Sequence, residues 1–240
     1  MPNDENHTLA SMGIYVFNAD YLYEVLTADA NNENSRRDFG FDIIPALVQQ
    51  HKVHAHDFAL SCIRNKGWKD ICYWRDVGTI DAYWEANMDV ASVQPQLDVY
   101  DTVWPIWTHQ EQLPPAKFVQ DISGASSVVM NSVCSAGCII SGSSLCHSVL
   151  FTDTRVHSNC CLNETVVLPS CVIHRGCRLT KVILDRGVEL PRNLIIGENE
   201  TLDAKRFYRT DAGVVLVTRE NEPHLYEGFD EYSATSSPIY

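Results

Sequence analysis

The sequence predicts two parts, an α/β segment followed by a parallel β-helix built from hexapeptide repeats, and three observations point there. After Asp121 apolar residues recur about every six positions: Ile122, Val128, Cys134, Ile140, Leu145, Leu150, Val156, Leu162, Leu168, Ile173, Leu179, then Ile183, Val188 and Leu194. Across the same stretch large aromatics nearly vanish until Phe207, while Ser, Gly, Cys, Val, Ile and Leu dominate. Before it, helical and extended patterns alternate, the signature of an α/β layer.

In the first part, residues 14 to 18 (IYVFN) read as a short buried strand. Residues 19 to 28 read as a helix with Tyr21, Leu22, Val25 and Leu26 on one face. The polar stretch NNENSRR then makes a loop. Asp38 caps a second helix running through Gln50, where Phe41, Ile44, Leu47 and Val48 recur at helical spacing, and residues 53 to 62 read as extended. Thr79 caps a third helix over residues 80 to 91, which turns Ile80, Tyr83, Trp84, Met88 and Ala91 inward. Residues 1–92 thus form the α/β segment. Residues 93–121 follow as an extended linker, because Pro95, Pro105, Pro114 and Pro115 remove donors and disfavour helix before them. Its Val103, Trp104, Ile106 and Trp107 should lie along a surface.

In the second part, residues 122–220, each hexad supplies one strand and a turn, and three hexads close a triangular coil of ~18 residues. About four coils fit before Gly197. Ile140, Leu150, Val156, Leu162, Leu168 and Leu179 should point inward, and the small Ser141, Gly142, Ser143, Ser158, Cys160, Gly176 and Cys177 should serve the corners. Residues 221–240 are polar and unperiodic, which suggests a disordered tail.

Composition narrows the function. With 45% apolar and 20% charged residues the chain has the makings of a globular core. No apolar run reaches membrane-spanning length, and the first seventeen residues lack the pattern of a secretory signal, so a cytoplasmic location is expected. Net charge is -13 and no Lys/Arg run exceeds Arg36-Arg37, which disfavours nucleic acid and anionic membrane as partners. The nine cysteines are an odd number with no C-x-x-C, which excludes a zinc ribbon or a disulfide framework. Seven of them fall between Cys134 and Cys177, where a small hydrophobe suits a narrow interior.

Taken in chain order, SMGIYVFNADYL, WRDVGTIDAYWEANMD, LPPAKFV, CIISGSS and IIGENETLDAKRFYRTDAGVVLVTRE closely resemble bacterial ADP-glucose pyrophosphorylase, also called glucose-1-phosphate adenylyltransferase. The resemblance covers roughly residues 9 to 220. It implies part of a nucleotidyltransferase domain of dinucleotide-binding-like fold joined to a left-handed parallel β-helix. The implied reaction makes ADP-glucose and pyrophosphate from ATP and glucose 1-phosphate with Mg²⁺, in glycogen biosynthesis, by an allosteric homotetramer. One departure stands out: the chain holds no Gly-rich GGxGxRLxxLT-type loop to cradle a triphosphate. The expectation is a C-terminal portion that lacks the ATP-binding half, inactive alone, working as a homo-oligomer or with a complementing N-terminal polypeptide.

The resemblance also implies roles for single residues. Asp76 in WRDVGT matches a metal ligand, in keeping with Mg²⁺ held by one or two carboxylates plus substrate phosphates; from the residues alone it reads equally as a turn cap ahead of Thr79. Ser11 in SMG matches the position that contacts the glucose phosphate of the product, although a hydroxyl there is also an ordinary turn device. Arg186 in LDRG and Arg219 in VTRE match effector-binding positions, AMP at the first and a sugar bisphosphate at the second, where a guanidinium fork suits phosphate. Two other functions compete: a non-catalytic β-helix assembly or regulatory module, and a hexapeptide-repeat acyltransferase using His147, His157 or His174 as base against coenzyme A.

Overall fold

The computed structural model describes residues 10–50, 52–62, 72–102 and 105–226, with the backbone alone at 222–224 and 226. The chain divides into two compact units, Met1–Ser61 and Cys62–Tyr240.

In the first unit α1 spans Ala19–Ala30, started by Asn18, whose side chain accepts the Asp20 and Tyr21 N–H groups. Asp38 accepts the Phe41 N–H and opens one π-helical turn, Phe39–Ile43, that runs on into α2, Ile44–Gln49. Ile43 and Leu47 are buried. Both helices lie where hydrophobic period and capping residues predict. The buried strand expected at 14 to 18 does not form: no ladder includes it among the described residues, and Val16 is 97% exposed. Instead Phe39 packs against Tyr15 and Phe17, with ring centroids 5.8 and 6.0 Å away. The expected extended segment 53 to 62 holds one 3₁₀ turn, Phe58–Leu60.

The second unit is built on a parallel β-helix. Its first face stacks Lys117–Val119, Ile139–Ser141, Arg155–Val156, Val172–Ile173 and Glu189–Leu190. A second face stacks Val128–Met130, Ser144–Cys146, Cys161–Asn163, Arg178–Thr180 and Ile195–Ile196. The third stacks Val133–Cys134, Val149–Leu150, Val166–Val167, Val182–Leu184 and Val215–Val217, closed by the antiparallel Tyr208–Arg209. The first ladder begins at Lys117, inside the stretch expected as linker. The pairings of Ile140 with Val156 and Val156 with Ile173 set coils of sixteen and seventeen residues, slightly shorter than eighteen.

Each coil turns three corners through left-handed backbone, and the corners stack in columns. Asn131, His147, Glu164 and Lys181 form one; Gly142, Asn159, Gly176 and Asn193 a second; Gly137, Asp153, Ser170 and Gly187 a third. Asn, Asp and Gly tolerate positive φ best, and eight of these twelve residues are of those types.

The interior ladder holds Ile140, Leu145, Leu150, Val156, Leu162, Ile173 and Leu179, all at most 1% exposed. Leu168, expected inside, lies outside it, because Val167 takes the interior position. Ile183 behaves likewise between the interior Val182 and Leu184. The reason is a helix, α3 (Ile80–Val90), that covers the outside of the third face. Met88 and Ala91 pack there with Val149, Val166, Ile183 and Val214. Apolar residues consequently occupy both sides of those strands. Ile122 and Val128, members of the six-residue apolar series, are exposed, with Val129 turned to the core instead.

The cysteine cluster has a hydrogen-bonding explanation. Thiols of Cys138, Cys160, Cys171 and Cys177 donate to the carbonyls of Phe151, His174, Asp185 and Pro191 at 3.0 to 3.1 Å. Ser143 does the same to His157 O at 2.7 Å, one coil below Cys160. Small buried donors thus tie each corner to the coil above, and Cys and Ser share the task. Seven cysteines are free, while Cys62 and Cys72 are joined in a disulfide with Cα atoms 5.5 Å apart.

A helical turn at Arg219–Tyr226 comes after the last strand and buries Leu225 in the interior cluster, so the tail expected from 221 is anchored at least that far. Residues 227–240, the rest of that expectation, lie outside the described residues, as do Val103 and Trp104; Trp107 is 91% exposed.

Candidate functional site

Asp76 is exposed and lies three residues ahead of the Thr79 cap of α3. Its Oδ1 accepts the Gly78 N–H at 2.9 Å, which accounts for one carboxylate oxygen and makes the turn expected of a cap. The helix that begins just after this turn is firmly held. The Trp84 indole donates to Glu164 O at 2.8 Å, Thr210 Oγ1 to Asp81 Oδ1 at 2.6 Å, and His147 Nε2 meets Met88 O at 3.0 Å. Lys181 Nζ stands 4.8 Å above the Trp84 ring. The carboxylate therefore projects from a short turn fastened to a rigid solenoid, an arrangement that limits its wandering. Among the described residues no group of three or more His, Cys, Asp or Glu gathers into a metal cage. One outward carboxylate fits a hard cation that takes its other ligands from water and substrate phosphates.

Ser11 belongs to the first unit and is exposed. Its Oγ accepts the Gly13 N–H at 3.2 Å and bonds the Tyr15 hydroxyl at 2.9 Å. The hydroxyl thus serves a local turn, and Gly13, at φ 74°, leaves the backbone beside it open: nothing lies within 4 Å of the place its Cβ would take.

Arg186 and Arg219, far apart in sequence, come together at one corner. Arg219 Nε donates to Arg186 O at 3.0 Å. The Arg219 guanidinium lies over Gly187, so that a Cβ added there would stand 1.9 Å from Nη2. Arg186 extends its N–H to Asp185 Oδ1 at 2.7 Å, and both arginine side chains are exposed. An exposed guanidinium at this corner can engage a phosphate-bearing anion. The role of Gly187 as their platform was not evident from sequence, although LDRG carried the signal: a glycine beside an arginine at a coil corner.

The acyltransferase alternative loses ground at His147. His147 is a corner residue bonded to Met88 O. Burial pushes the Cys134 and Cys171 thiols up to about 11, and the contact with Cys160, then burial, raises Cys177, which suits structural thiols rather than nucleophiles.

Comparison with known proteins agrees with this architecture. A nucleotidyl transferase family model matches residues 2–93, and a GlmU-like C-terminal hexapeptide model matches residues 114–217. A glucose-1-phosphate adenylyltransferase of Pectobacterium carotovorum subsp. carotovorum (strain PC1) is 55% identical over 219 residues, covering 91% of this chain and 51% of that protein. The chain spans about half the length of this curated relative. Across nearly all of its own residues the chain is similar to glucose-1-phosphate adenylyltransferase, and its first part matches the nucleotidyl transferase model.

Proposed function

We propose that the chain is part of a cytoplasmic glucose-1-phosphate adenylyltransferase, which makes ADP-glucose and pyrophosphate from ATP and glucose 1-phosphate for glycogen synthesis. The observation that carries this reading is the 55% identity over 219 residues, 91% of the chain. Ser11 contacts the sugar phosphate. Asp76 holds Mg²⁺ together with phosphate oxygens, and that ion, when bound, neutralises charge on the transferring group. Nucleotidyl transfer depends on positioning and charge neutralisation more than on covalent chemistry by the protein, which suits a turn held in place by α3 and the solenoid. Arg186 and Arg219 bind AMP or a sugar bisphosphate, and the β-helix contributes to a homo-oligomer.

Residues 1–240 hold no Gly-rich phosphate cradle. A polypeptide of these residues alone is therefore expected to form no detectable ADP-glucose, whereas mixing it with a polypeptide that carries such a loop restores synthesis. Turnover by the isolated polypeptide within about ten-fold of an intact family enzyme would contradict this division of labour. The effector roles have their own test. Gly187→Ala places a methyl where the Arg219 guanidinium lies, at a corner with φ 68°. In the reconstituted enzyme it should weaken effector activation by about 10-fold or more, the scale of one lost charge-assisted contact, while leaving basal turnover unchanged. An unaltered activation curve would remove Arg219 from the effector site.

A further inference from the structure

We propose that the solenoid corner where His157, His174, Arg175 and Arg192 converge binds the phosphate group of a small anionic ligand. The site lies on the second unit, and the proposal stands independently of the roles of Asp76, Ser11, Arg186 and Arg219.

The coil repeat builds it. Val156 pairs with Ile173 and Ile173 with Leu190, which places His157 beside His174 and Arg175 beside Arg192 on consecutive coils. The imidazoles stack, with centroids 5.1 Å apart and planes 11° from parallel. They border an open groove of about 520 Å³ lined also by Asp121 and Ile122, a volume within the range of small-ligand sites. The loop carrying those two residues is pinned against Gly142, where any Cβ would come within 2.9 Å of Ala125 O and Asp121 Cβ. Ile122 stands wholly exposed at the rim, an apolar contact for the carbon body of a ligand.

Charge selects the ligand. In a chain of net charge -13, Arg155, Arg175 and Arg192 all direct their positive field at His157. Neither Arg155 nor Arg192 has a carboxylate partner among the described residues. The opposing charges are Asp121 and Glu189. Asp121 Oδ1 accepts from Ser123 Oγ at 2.6 Å and Ala125 N at 2.9 Å, while Oδ2, buried without a hydrogen-bond partner, faces Arg175 Nη2 at 3.8 Å. Glu189 Oε1 meets His174 Nε2 at 2.7 Å and orients that ring. Three arginines against two carboxylates leave one surplus positive charge with neutral imidazoles, and three with both protonated. Burial and the neighbouring cations hold His157 below its ordinary value. A bound dianion favours imidazolium, hence affinity rises as pH falls through the ordinary histidine range near 6.5.

The test tracks the imidazole Hε1 resonances of His157 and His174 in the intact polypeptide during titration. Sulfate serves for the pH series, since it stays dianionic; inorganic phosphate and glucose 6-phosphate are the other probes. Saturable shifts of both rings are expected at about millimolar ligand, tightening several-fold from pH 8 to pH 6. Arg192→Gln, which removes a charge without breaking an ion pair among the described residues, should weaken binding about 10-fold. Arg186→Gln should leave it unchanged. Tighter binding of glucose 6-phosphate than of phosphate identifies an organic phosphate ester as the ligand; equal binding identifies free phosphate. Absence of saturable shifts, or full binding by Arg192→Gln with an unaltered melting temperature, would overturn the proposal. Loss of binding in Arg186→Gln would also overturn it, by assigning the anion to the effector corner instead.

Discussion

Asp76→Asn is expected to lower ADP-glucose synthesis about 100-fold in an enzyme that joins this chain to a nucleotide-binding half, the cost of removing one strong electrostatic contact to developing charge. The substitution separates charge from shape. Asparagine retains an Oδ1 acceptor for the Gly78 N–H, so the turn before α3 survives, and the exposed position leaves no cavity. The melting temperature should accordingly stay within about 1 °C of the parent, as for a surface change that keeps its hydrogen bond. Steady-state kinetics over a Mg²⁺ series give the decisive comparison. A variant with parental turnover, or one that unfolds, would make Asp76 a turn residue and nothing more.

The largest stability effect is expected from Leu162→Ala. Leu162 is fully buried in the middle of the stack, paired with Leu145 on one side and Leu179 on the other. In a solenoid each coil touches only its neighbours, and parallel ladders hold the coil spacing, so little can move in to fill the space. Leu→Ala in such a core costs about 3 to 5 kcal/mol, the transfer free energy plus the cavity left behind. Thermal unfolding monitored by circular dichroism should show the midpoint falling by roughly 10 °C. Ile122→Ala, at a wholly exposed position of the same six-residue series, should be nearly neutral. Similar losses at both positions would mean that the interior is not where the stability of this unit resides.

That contrast between two members of one apolar series shows where sequence stops being enough. The recurrence from Ile140 to Leu179 requires a coiled parallel strand path, because no helix or alternating sheet buries every sixth residue. Asp38 and Thr79 mark two helix starts by the chemistry of their side chains, which accept orphan N–H groups. These are local matters and were legible. The family motifs were legible too, since WRDVGT and LDAKRFYRTDAGVVLVTRE are long and contiguous. Which of two adjacent apolar residues faces the interior was not. Val167 and Leu168 are both apolar because the interior covers one side of that strand and α3 the other, and hydrophobicity alone cannot rank two buried faces.

The order of amino acids was thus sufficient for the coil repeat, two helix starts, the family resemblance and the residue types of each candidate site. Which of those residues meet is a property of the folded stack. Arg219 reaches Arg186 because the inserted helix α4, Glu200–Arg206, and the strands after it return the chain to Lys181 and Val182 one coil on. His157 stacks on His174 because that coil is seventeen residues long, a length set by corner geometry rather than by apolar spacing. Proximity across coils arises from ladder register, which closes only when every backbone N–H finds its carbonyl on the next coil, and that condition is met by the whole stack at once.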